Sequence, residues 1–292
     1  MEATITLQNL SIGYRSKKKD LRVIASAINA SLLSDELTCL IGSNGVGKST
    51  LLRTLAGFQP PLEGEVLLQG NPLSTYSAQE MAKEVSVVLT SKLDIAQLSV
   101  TDVVGMGRSP YTGFFGTLSS SDKQVIAEAL YQVGISHLAD HNIQELSDGE
   151  RQKVMIAKAL AQQTSLIILD EPTAFLDFPS KVETMQMLRR LAHNQDQSAH
   201  KQKQSAHKQK QSVHNLHKSR SLQEQHKSIL LSTHDVELAL QIADRIWLME
   251  PGRLSIGTPR ELSADGSLSK FIERDGIKYD KERMRIEINN QI

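Results

Sequence analysis

Cysteine is nearly absent from this 292-residue chain, in which Cys39 is the only one. A lone cysteine excludes a disulfide framework, which fits a protein that works in a reducing compartment. A surplus of charge of either sign is absent as well, since Lys and Arg together number 33 and Asp and Glu together number 33. A net charge of zero excludes bulk electrostatic attraction to nucleic acid or to an anionic membrane surface.

Long apolar runs are also missing. The runs that occur, such as Val85–Leu89 and Leu166–Leu169, are far shorter than the roughly 20 residues that a helix needs to cross a bilayer. The N-terminus, MEATITLQNL, lacks the basic segment and apolar stretch of a signal peptide. Hydrophobic residues still make up 39% of the chain, which is enough for a core. We therefore expect one large or two modest domains and, if the protein serves a membrane process, work on the cytoplasmic side beside a separate membrane partner.

Strand and helix patterns divide the chain into regions. The interval from about residue 91 to residue 163 lacks strand signals and has helical spacing at Asp122–Val133, which Ser121 or Asp122 can cap, and at Gly149–Ala161. This interval is predicted to be a separate helical lobe. Runs typical of strands lie on either side of it: Thr4–Leu10, Val23–Leu33, Leu37–Ile41, Glu65–Leu68, Val85–Leu89, Ser165–Asp170, Ser228–Ser232, Arg245–Met249 and Arg253–Gly257. Strands that alternate with helices predict an α/β fold with a largely parallel, covered sheet.

A polar tract with a tandem repeat occupies residues 193–226. The heptapeptide QSAHKQK at residues 197–203 is repeated at 204–210 and degenerates to QSVHNLH at 211–217. Because large apolar residues are nearly missing, the tract is predicted to be a solvated insertion in a surface connection. Six of the nine histidines lie here, so two interpretations stay open: a metal-binding tract, or a duplicated loop without function. These histidines are His193, His200, His207, His214, His217 and His226.

The segment GSNGVGKST carries the strongest chemical signal. It satisfies the G-x-x-x-x-G-K-[ST] pattern between the predicted strand Leu37–Ile41 and a predicted helix at Lys48–Ala56. Its glycines allow a tight turn whose N–H groups, together with the helix N-terminus, bind phosphates. Lys48 is expected to reach the β- and γ-phosphates, and the Ser49 hydroxyl is expected to bind Mg²⁺. The predicted phosphate-binding loop consists of Gly42, Ser43, Asn44, Gly45, Val46, Gly47, Lys48, Ser49 and Thr50.

Two carboxylates follow a buried strand in the sequence LIILDE, at Leu166–Glu171. Ligands of parallel sheets bind at the carboxyl ends of the strands, which is where these acids emerge. Asp170 is placed to hold Mg²⁺, directly or through water. Glu171 is placed to orient and polarise the attacking water as a general base.

Two further segments point to the same chemistry. In LSDGERQ, Ser147 and Gly149 stand at a helix start, which favours anion binding, although Ser147 and Glu150 also fit a capping box. Because one chain already has a phosphate site at Lys48, this second anion site suggests that the nucleotide is sandwiched between two chains. In STHD, His234 follows the predicted strand Ser228–Ser232 and is expected to contact the γ-phosphate.

The order of the motifs, P-loop, LSDGE, LIILDE, AFLD and STHD, resembles that of the ATP-binding subunits of ABC transporters over roughly Ala3 to Thr258, apart from the polar tract. The resemblance implies an α/β P-loop NTPase core of RecA type with an antiparallel β-subdomain and an inserted α-helical subdomain. It implies ATP and Mg²⁺ as cofactors, and head-to-tail dimers in which LSDGE of one copy faces the P-loop of the other. The core is expected at residues 1–89 and 164–262 with the insertion at 193–226, the helical subdomain at 90–163, and a C-terminal tail at 263–292.

The same resemblance assigns individual roles. Tyr14 matches the aromatic residue that stacks on adenine, Asp177 in AFLD matches the loop that links the two sites, and His234 matches the switch histidine. The signature contacts to the opposite nucleotide fall to Ser147, Gly149 and Glu150. Thr90 departs from the pattern, because it stands where the family has a glutamine that binds Mg²⁺ and senses the membrane partner, and Gln97 is too distant to replace it. A threonine hydroxyl can still bind Mg²⁺ or water, so the predicted metal ligands are Ser49, Asp170 and Thr90.

The segment LSVTDVVGMGRSPYTG, Leu98–Gly113, resembles the coupling segment of importers for iron–siderophore complexes, haem and cobalamin. This implies a peripheral ATPase on the cytoplasmic face of the inner membrane that drives uptake of an iron complex or cobalamin through separate integral membrane permease subunits. An extracytoplasmic binding protein would deliver the cargo. The permease is expected to contact the helical lobe near Asp94–Tyr111. No nucleic-acid partner is expected.

Three alternatives stay open. One is a soluble ABC-type ATPase of DNA repair or translation, which usually carries a long coiled coil or two ATPase halves, and neither is visible in this chain. Another is an importer ATPase for a different small molecule. The last is a nucleotide-binding regulator that does not hydrolyse ATP, which Glu171 disfavours because it supplies the acid that hydrolysis needs.

Overall fold

The computed structural model describes residues 2–15, 21–89, 97–113, 116–193 and 227–288. Thr90 and the histidine repeats at residues 197–217 therefore lie outside the described residues, as do residue 1 and residues 289–292. Within the described part, no helix has the length and apolar character that a membrane span requires.

A six-stranded sheet with the strand order β10–β9–β3–β8–β7–β6 forms the centre of the protein. Five of its strands are parallel, and β10 pairs antiparallel with β9. The strands are β3 (Leu37–Gly42), β6 (Val85–Val88), β7 (Leu166–Leu169), β8 (Ser228–Ser232), β9 (Arg245–Glu250) and β10 (Arg253–Gly257). β3, β7 and β8 are buried at every position, as expected for parallel strands covered on both faces. The predicted α/β fold with a largely parallel sheet is confirmed.

A second, antiparallel sheet of four strands has the order β2–β1–β4–β5. Its strands are β1 (Ala3–Arg15), β2 (Leu21–Leu33), β4 (Glu63–Leu68) and β5 (Asn71–Pro72). Its apolar face shares one hydrophobic cluster with the first helix and with one face of the central sheet, where Trp247 is fully buried. A bridge between Ala25 and Gly252 links β2 to the turn between β9 and β10. This bridge fixes the antiparallel sheet beside the β9–β10 turn of the central sheet.

Each of the α-helices between the two strand-rich parts of the chain has a serine as its N-terminal cap. The helices there are α3 (Val100–Gly105), α4 (Ser120–Gln132) and α5 (Asp148–Ala161), and in each a serine and an acid three residues later form a capping box. For α4 the cap is Ser119, so the predicted cap at Ser121 or Asp122 is wrong. Asp122 instead supplies the reciprocal carboxylate of that box. The helical character of this region agrees with the sequence pattern, while the predicted domain boundaries stay a prediction.

The other helices cover the central sheet and form the tail. They are α1 (Lys48–Leu55), α2 (Ala78–Glu84), α6 (Phe178–Ala192), α7 (Val236–Ile242), α8 (Pro259–Ala264) and α9 (Ser267–Ile272). A hairpin of β11 (Ile277–Asp280) and β12 (Arg285–Ile288) follows α9, and Glu237 of α7 accepts a hydrogen bond from the N–H of Ile286 at 3.1 Å. The tail thus packs as a small terminal element on the body of the protein.

Asp244 holds the edge of the central sheet where the parallel strands begin. Its carboxylate accepts hydrogen bonds from the N–H of Leu37 at 2.9 Å and from Arg189 at 3.4 Å, and it pairs with Nε2 of His193 at 2.9 Å. Leu37 is the first residue of β3, the strand that leads into the P-loop. One side chain therefore ties β3, β9 and the end of α6 together at the edge away from that loop.

Replacement of Asp244 tests this role. We expect Asp244→Ala to lower the free energy of unfolding by about 1–3 kcal/mol, because it leaves the buried N–H of Leu37 without its carboxylate acceptor. Chemical denaturation followed by the fluorescence of Trp247 measures the change. Asp275→Ala, on an exposed turn, is the control and should shift stability by less than about 0.5 kcal/mol. Equal stability of the two variants would contradict the assignment.

Candidate nucleotide-binding site

The glycine loop between β3 and α1 follows a path that side chains would block. A Cβ on Gly42 would lie 2.5 Å from the carbonyl oxygen of Met249, and a Cβ on Gly47 would lie 2.2 Å from Cγ2 of Ile24. Gly47 also has φ +118°, which L side chains rarely adopt. The two glycines of the sequence motif are therefore required by the close packing of the loop against β9 and β2.

The first turn of α1 has no side-chain cap. The helices α2 to α6 each begin with a serine or aspartate that accepts a backbone N–H, whereas α1 begins at Gly47 with no such acceptor and no acid in its first turn. The free N–H groups at a helix start carry partial positive charge. α1 is therefore the helix of this set that offers its N-terminus to an external anion, at the place where the sequence predicts phosphate binding.

The ammonium of Lys48 lies inside the loop. Its Nζ donates hydrogen bonds to the carbonyl oxygens of Gly42 at 2.8 Å and Ser43 at 3.2 Å, and lies 3.5 Å from Nδ1 of His234. Burial lowers the pKa of Lys48 below its ordinary value, and the nearby carboxylates of Glu171 and Asp170 oppose that shift. The loop thus holds a largely buried cation where the β- and γ-phosphates are expected.

Asp170 and Glu171 are oriented by a hydroxyl on the neighbouring strand. Ser232 donates to Oδ1 of Asp170 at 2.7 Å and accepts from the N–H of Glu171 at 2.9 Å. Glu171 has φ +51°, a conformation that is uncommon for residues other than glycine and that turns its side chain away from the strand direction. Ser232 has no predicted role, although it ends the predicted strand Ser228–Ser232 and begins STHD. No local pattern identifies it, because its contact with Asp170 depends on the pairing of β8 with β7.

His234 joins the acids to the lysine. Its Nε2 is paired with Oε1 of Glu171, while Nδ1 faces Lys48. The structure therefore brings together four of the predicted site residues, Lys48, Asp170, Glu171 and His234, at one edge of the sheet. The cluster contains a cation for phosphate, a carboxylate that can polarise water and an imidazole between them, a set of groups that can support phosphoryl transfer to water.

Oxygen donors for a magnesium ion lie beside this cluster. The Ser49 hydroxyl and the Asp170 carboxylate line the same small cleft, between α1 and the ends of β6 and β7. Mg²⁺ is usually held by one or two protein oxygens together with phosphates and waters, so a larger cluster of acids is not needed. The residues present fit the ion. The third predicted ligand, Thr90, lies outside the described residues.

Tyr14 lies near the loop on the antiparallel sheet. Tyr14 is 43% exposed, its hydroxyl accepts a hydrogen bond from Arg22 at 3.1 Å, and the guanidinium carbon of Arg22 lies 5.8 Å from the ring centroid. Arg22 stands two residues before Ile24, the residue of β2 that contacts Gly47. An accessible aromatic face is what stacking on a nucleotide base requires, and the neighbourhood of the ring is compatible with that predicted role.

The residues of LSDGE and AFLD form a second group, at the starts of α5 and α6. Ser147 and Glu150 form the capping box expected as one interpretation, and hydrogen bonds from Ser147 lower the pKa of Glu150. Asp177 accepts from the N–H of Ser180 at 3.1 Å, and a Cβ on Gly149 would lie 3.8 Å from Oγ of Ser180. The two helix starts therefore lie side by side. In the described part of the chain, no hydrogen bond connects this group to the P-loop.

A P-loop with a buried lysine after β3, and two acids at the end of β7 in the same largely parallel sheet, define a P-loop NTPase. A family profile described as ABC transporter matches residues 25–174. An uncharacterised ABC transporter ATP-binding protein of Methanocaldococcus jannaschii is 35% identical over 97% of this chain and 86% of that protein. The chain belongs to the ATP-binding subunits of ABC transporters, a family of ATPases coupled to transport.

Relatives with named cargo and a solved structure are also similar. The iron(3+)-hydroxamate import ATP-binding protein of Bacillus subtilis is 36% identical over 67% of this chain and 71% of that protein. The cobalamin import ATP-binding protein of Halobacterium salinarum is 30% identical over 88% of this chain and 57% of that protein. A transporter described as metal-chelate type, in an inward-facing conformation, matches with a TM-score of 0.70 and 25% identity over 93% of this chain and 89% of that one.

Removal of the Lys48 ammonium should weaken nucleotide binding. We expect Lys48→Met to reduce the affinity for ATP by about 10- to 100-fold, the loss typical of a buried, charged hydrogen bond. Titration of the purified chain with a fluorescent ATP analogue measures it. Lys278→Met, on the exposed face of β11, makes the same change of charge away from the phosphate site and should bind ATP as the parent protein does. Parental affinity in Lys48→Met would refute the assignment of the phosphate site.

Proposed function

We propose that this chain hydrolyses ATP to drive the import of an iron complex, as a siderophore or haem, or of cobalamin, through a separate permease. The cluster of Lys48, His234, Glu171 and Asp170 carries the catalytic part of this proposal. The resemblance of Leu98–Gly113 to importer coupling segments supports the direction of transport. The named functions of the hydroxamate and cobalamin relatives support the class of cargo. The remaining alternative is an importer ATPase for a different small molecule.

The roles that we propose within the site combine the geometry of the cluster with the resemblance to the family. The ammonium of Lys48 and the free N–H groups of α1 bind the β- and γ-phosphates, and Tyr14 stacks on the adenine ring. Glu171 orients the attacking water and takes its proton, and His234 holds the γ-phosphate. Ser49, Asp170 and Thr90 would hold Mg²⁺, which would neutralise charge on the phosphate oxygens.

A second copy completes the site in this proposal. Ser147 and Gly149 stand at the start of α5, where Glu150 completes the capping box, and Asp177 caps the adjacent helix α6. In the part of the chain that the structure describes, none of the four is hydrogen-bonded to the P-loop. The Ser147 cap uses the N–H of Glu150, so the N–H of Gly149 can meet the triphosphate on the P-loop of a partner copy that faces this helix start. ATP then favours the closed dimer because it binds that state better, and hydrolysis removes this preference. Closing and opening of the dimer is the motion passed to the permease.

The Glu171→Gln variant tests hydrolysis and assembly together. We expect turnover to fall by about a hundredfold or more, because the amide cannot accept a proton from water. We also expect the variant to retain bound ATP and to sediment as a dimer when Mg-ATP is present. Glu282→Gln in the exposed tail should behave as the parent. Equal turnover in both variants would exclude Glu171 as the base and favour a different water-activating group.

Exposed apolar residues of the cleft that Ser49 and Asp170 also line are the proposed contact for the permease. The cleft runs between α1 and the ends of β6 and β7, where Phe58 is 65% exposed and Leu89 is 49% exposed. Met106 and Tyr111, in the segment predicted to meet the permease, are also partly exposed. A partner seated here would touch the same strands that carry Asp170. Such a partner places the chain on the cytoplasmic face of the inner membrane, with a binding protein on the opposite side.

Phe58→Ser tests the docking surface. We expect co-purification with the permease to drop several-fold, because the change removes most of an exposed aromatic contact. ATP binding by the isolated chain is expected to persist. Tyr131→Ser, at an exposed position on α4, is the control.

Uptake of radiolabelled ferric siderophore, haem and cobalamin by cells with and without the chain identifies the cargo, and no effect on any of the three would favour another small molecule.

A further inference from the structure

Arg108 is a buried arginine outside the nucleotide site, with only 6% of its surface exposed. Its Nε donates to Oδ1 of Asp122 at 2.8 Å, and Nη1 donates to the carbonyl oxygen of Ala161 and to Oε1 of Gln163, each at 2.7 Å. Arginines are rarely buried unless they are paired, and this one makes three short hydrogen bonds. The guanidinium thus joins the start of α4 to the last turn of α5.

The turn that carries Arg108 lies directly on α5. A Cβ on Gly107 would come within 2.2 Å of the carbonyl oxygen of Lys158, so no other residue fits without displacing backbone. Ala161 is the last residue of α5, and its carbonyl belongs to those that have no partner within a helix. A cation at this end also favours the helix dipole. Arg108 therefore caps α5 from the segment that resembles an importer's coupling segment.

Aromatic stacking continues the connection to the core. The guanidinium carbon of Arg108 lies 4.0 Å from the ring centroid of Tyr111, and the Tyr111 hydroxyl donates to the carbonyl of Gln162 at 3.0 Å. The Gln162 amide in turn donates to the carbonyl oxygens of Ala82 at 2.6 Å and Val85 at 3.0 Å. Val85 begins β6 of the central sheet. The end of α5 is thus fixed both to residues 106–111 and to the sheet.

α5 connects two parts of the proposed mechanism. Its N-terminal end carries Ser147 and Gly149, about 20 Å from its C-terminal end at the helical rise per residue. The chain beyond its C-terminal end enters β7, which leads to Asp170 and Glu171. Any tilt of the anchored end displaces the far end of a rigid helix. The position of Ser147 therefore depends on what holds Ala161.

We propose that Arg108 is a positioning residue that sets where the start of α5 meets the nucleotide of a second copy. The inference rests on the head-to-tail assembly proposed above. Arg108 does not touch the nucleotide site and acts through α5. Positioning of α5 requires the planar guanidinium with its several N–H donors. A lysine ammonium cannot make all three hydrogen bonds and also stack on the Tyr111 ring.

The ion pair is present at the pH where such an ATPase works. Burial opposes ionisation of Asp122, but hydrogen bonds from Ser119 and Arg108 outweigh it and hold the pKa of Asp122 below its ordinary value. A carboxylate with a lowered folded pKa contributes stability above its unfolded pKa and loses it as the pH falls through the folded pKa. Arg108 and Asp122 thus stay paired at neutral pH, so the position of α5 does not switch with pH in that range.

Arg108→Lys tests the proposal in the full chain. We expect the monomer to bind the fluorescent ATP analogue with unchanged affinity, since the Lys48 cluster is intact. We expect kcat to fall about tenfold, and the double variant with Glu171→Gln to need about tenfold more protein to dimerise with Mg-ATP, the size of one lost charged hydrogen bond. Arg260→Lys, exposed on α8, is the matched control. Tyr111→Phe, which keeps the stack but loses the bond to Gln162, should give a smaller fall.

Hydrogen exchange of the monomer separates this inference from the proposed assembly. Faster exchange at residues 146–152 in Arg108→Lys, with no change at residues 37–55, is expected if α5 loses its anchor. Unchanged exchange at 146–152 overturns the inference whatever the dimer does. The inference is also overturned if Arg108→Lys only lowers the melting temperature and keeps the parental kcat below it. It is overturned as well if the ATP affinity of the variant falls together with kcat. If Glu171→Gln alone does not dimerise, the assembly fails, and the exchange result still decides the role of Arg108.

Discussion

The site depends on the burial of one cation, Lys48, between a helix start and two carboxylates. The ammonium is bound by the carbonyl oxygens of Gly42 and Ser43 and faces His234, which itself pairs with Glu171. A triphosphate entering the loop can exchange these weak neutral acceptors for charged ones, and that exchange frees the loop carbonyls. Glycine is required around Lys48 because the loop presses on Met249 and Ile24. The packing of β2 and β9 is therefore part of the phosphate site.

Parallel topology explains why so much of the cluster could be predicted. The carboxyl ends of β3, β7 and β8 lie at one edge, so residues that follow three separate apolar runs must meet there. The P-loop, Asp170 with Glu171, and His234 were each placed on that edge from local pattern alone. Ser232 was not, because its contact with Asp170 depends on the lateral register of β7 and β8, which no local pattern in either strand reports.

Long-range polar contacts account for the rest of what the sequence did not reveal. Asp244 accepts the N–H of Leu37 although 207 positions separate them, and Arg108 reaches Ala161 across 53. Single charged residues whose partners lie far along the chain look like surface residues in a sequence, and only the fold shows that these two are enclosed. The cap of α4 was missed for a more local reason. Ser119 and Ser121 are both competent caps, and the choice follows from the carboxylate of Asp122, which pairs back to Ser119 and also to Arg108.

The polar tract can be tolerated because of where the chain leaves and re-enters the fold. Its described flanks are His193, paired with Asp244, and Lys227, whose carbonyl accepts from the N–H of Asp35. Both lie where the parallel strands begin, at the edge opposite Lys48 and Glu171. Added residues between two such fixed points cost mainly loop-closure entropy, which grows only with the logarithm of length. A repeat can therefore expand there without moving an atom of the nucleotide site, whereas one methyl group on Gly47 would displace the loop.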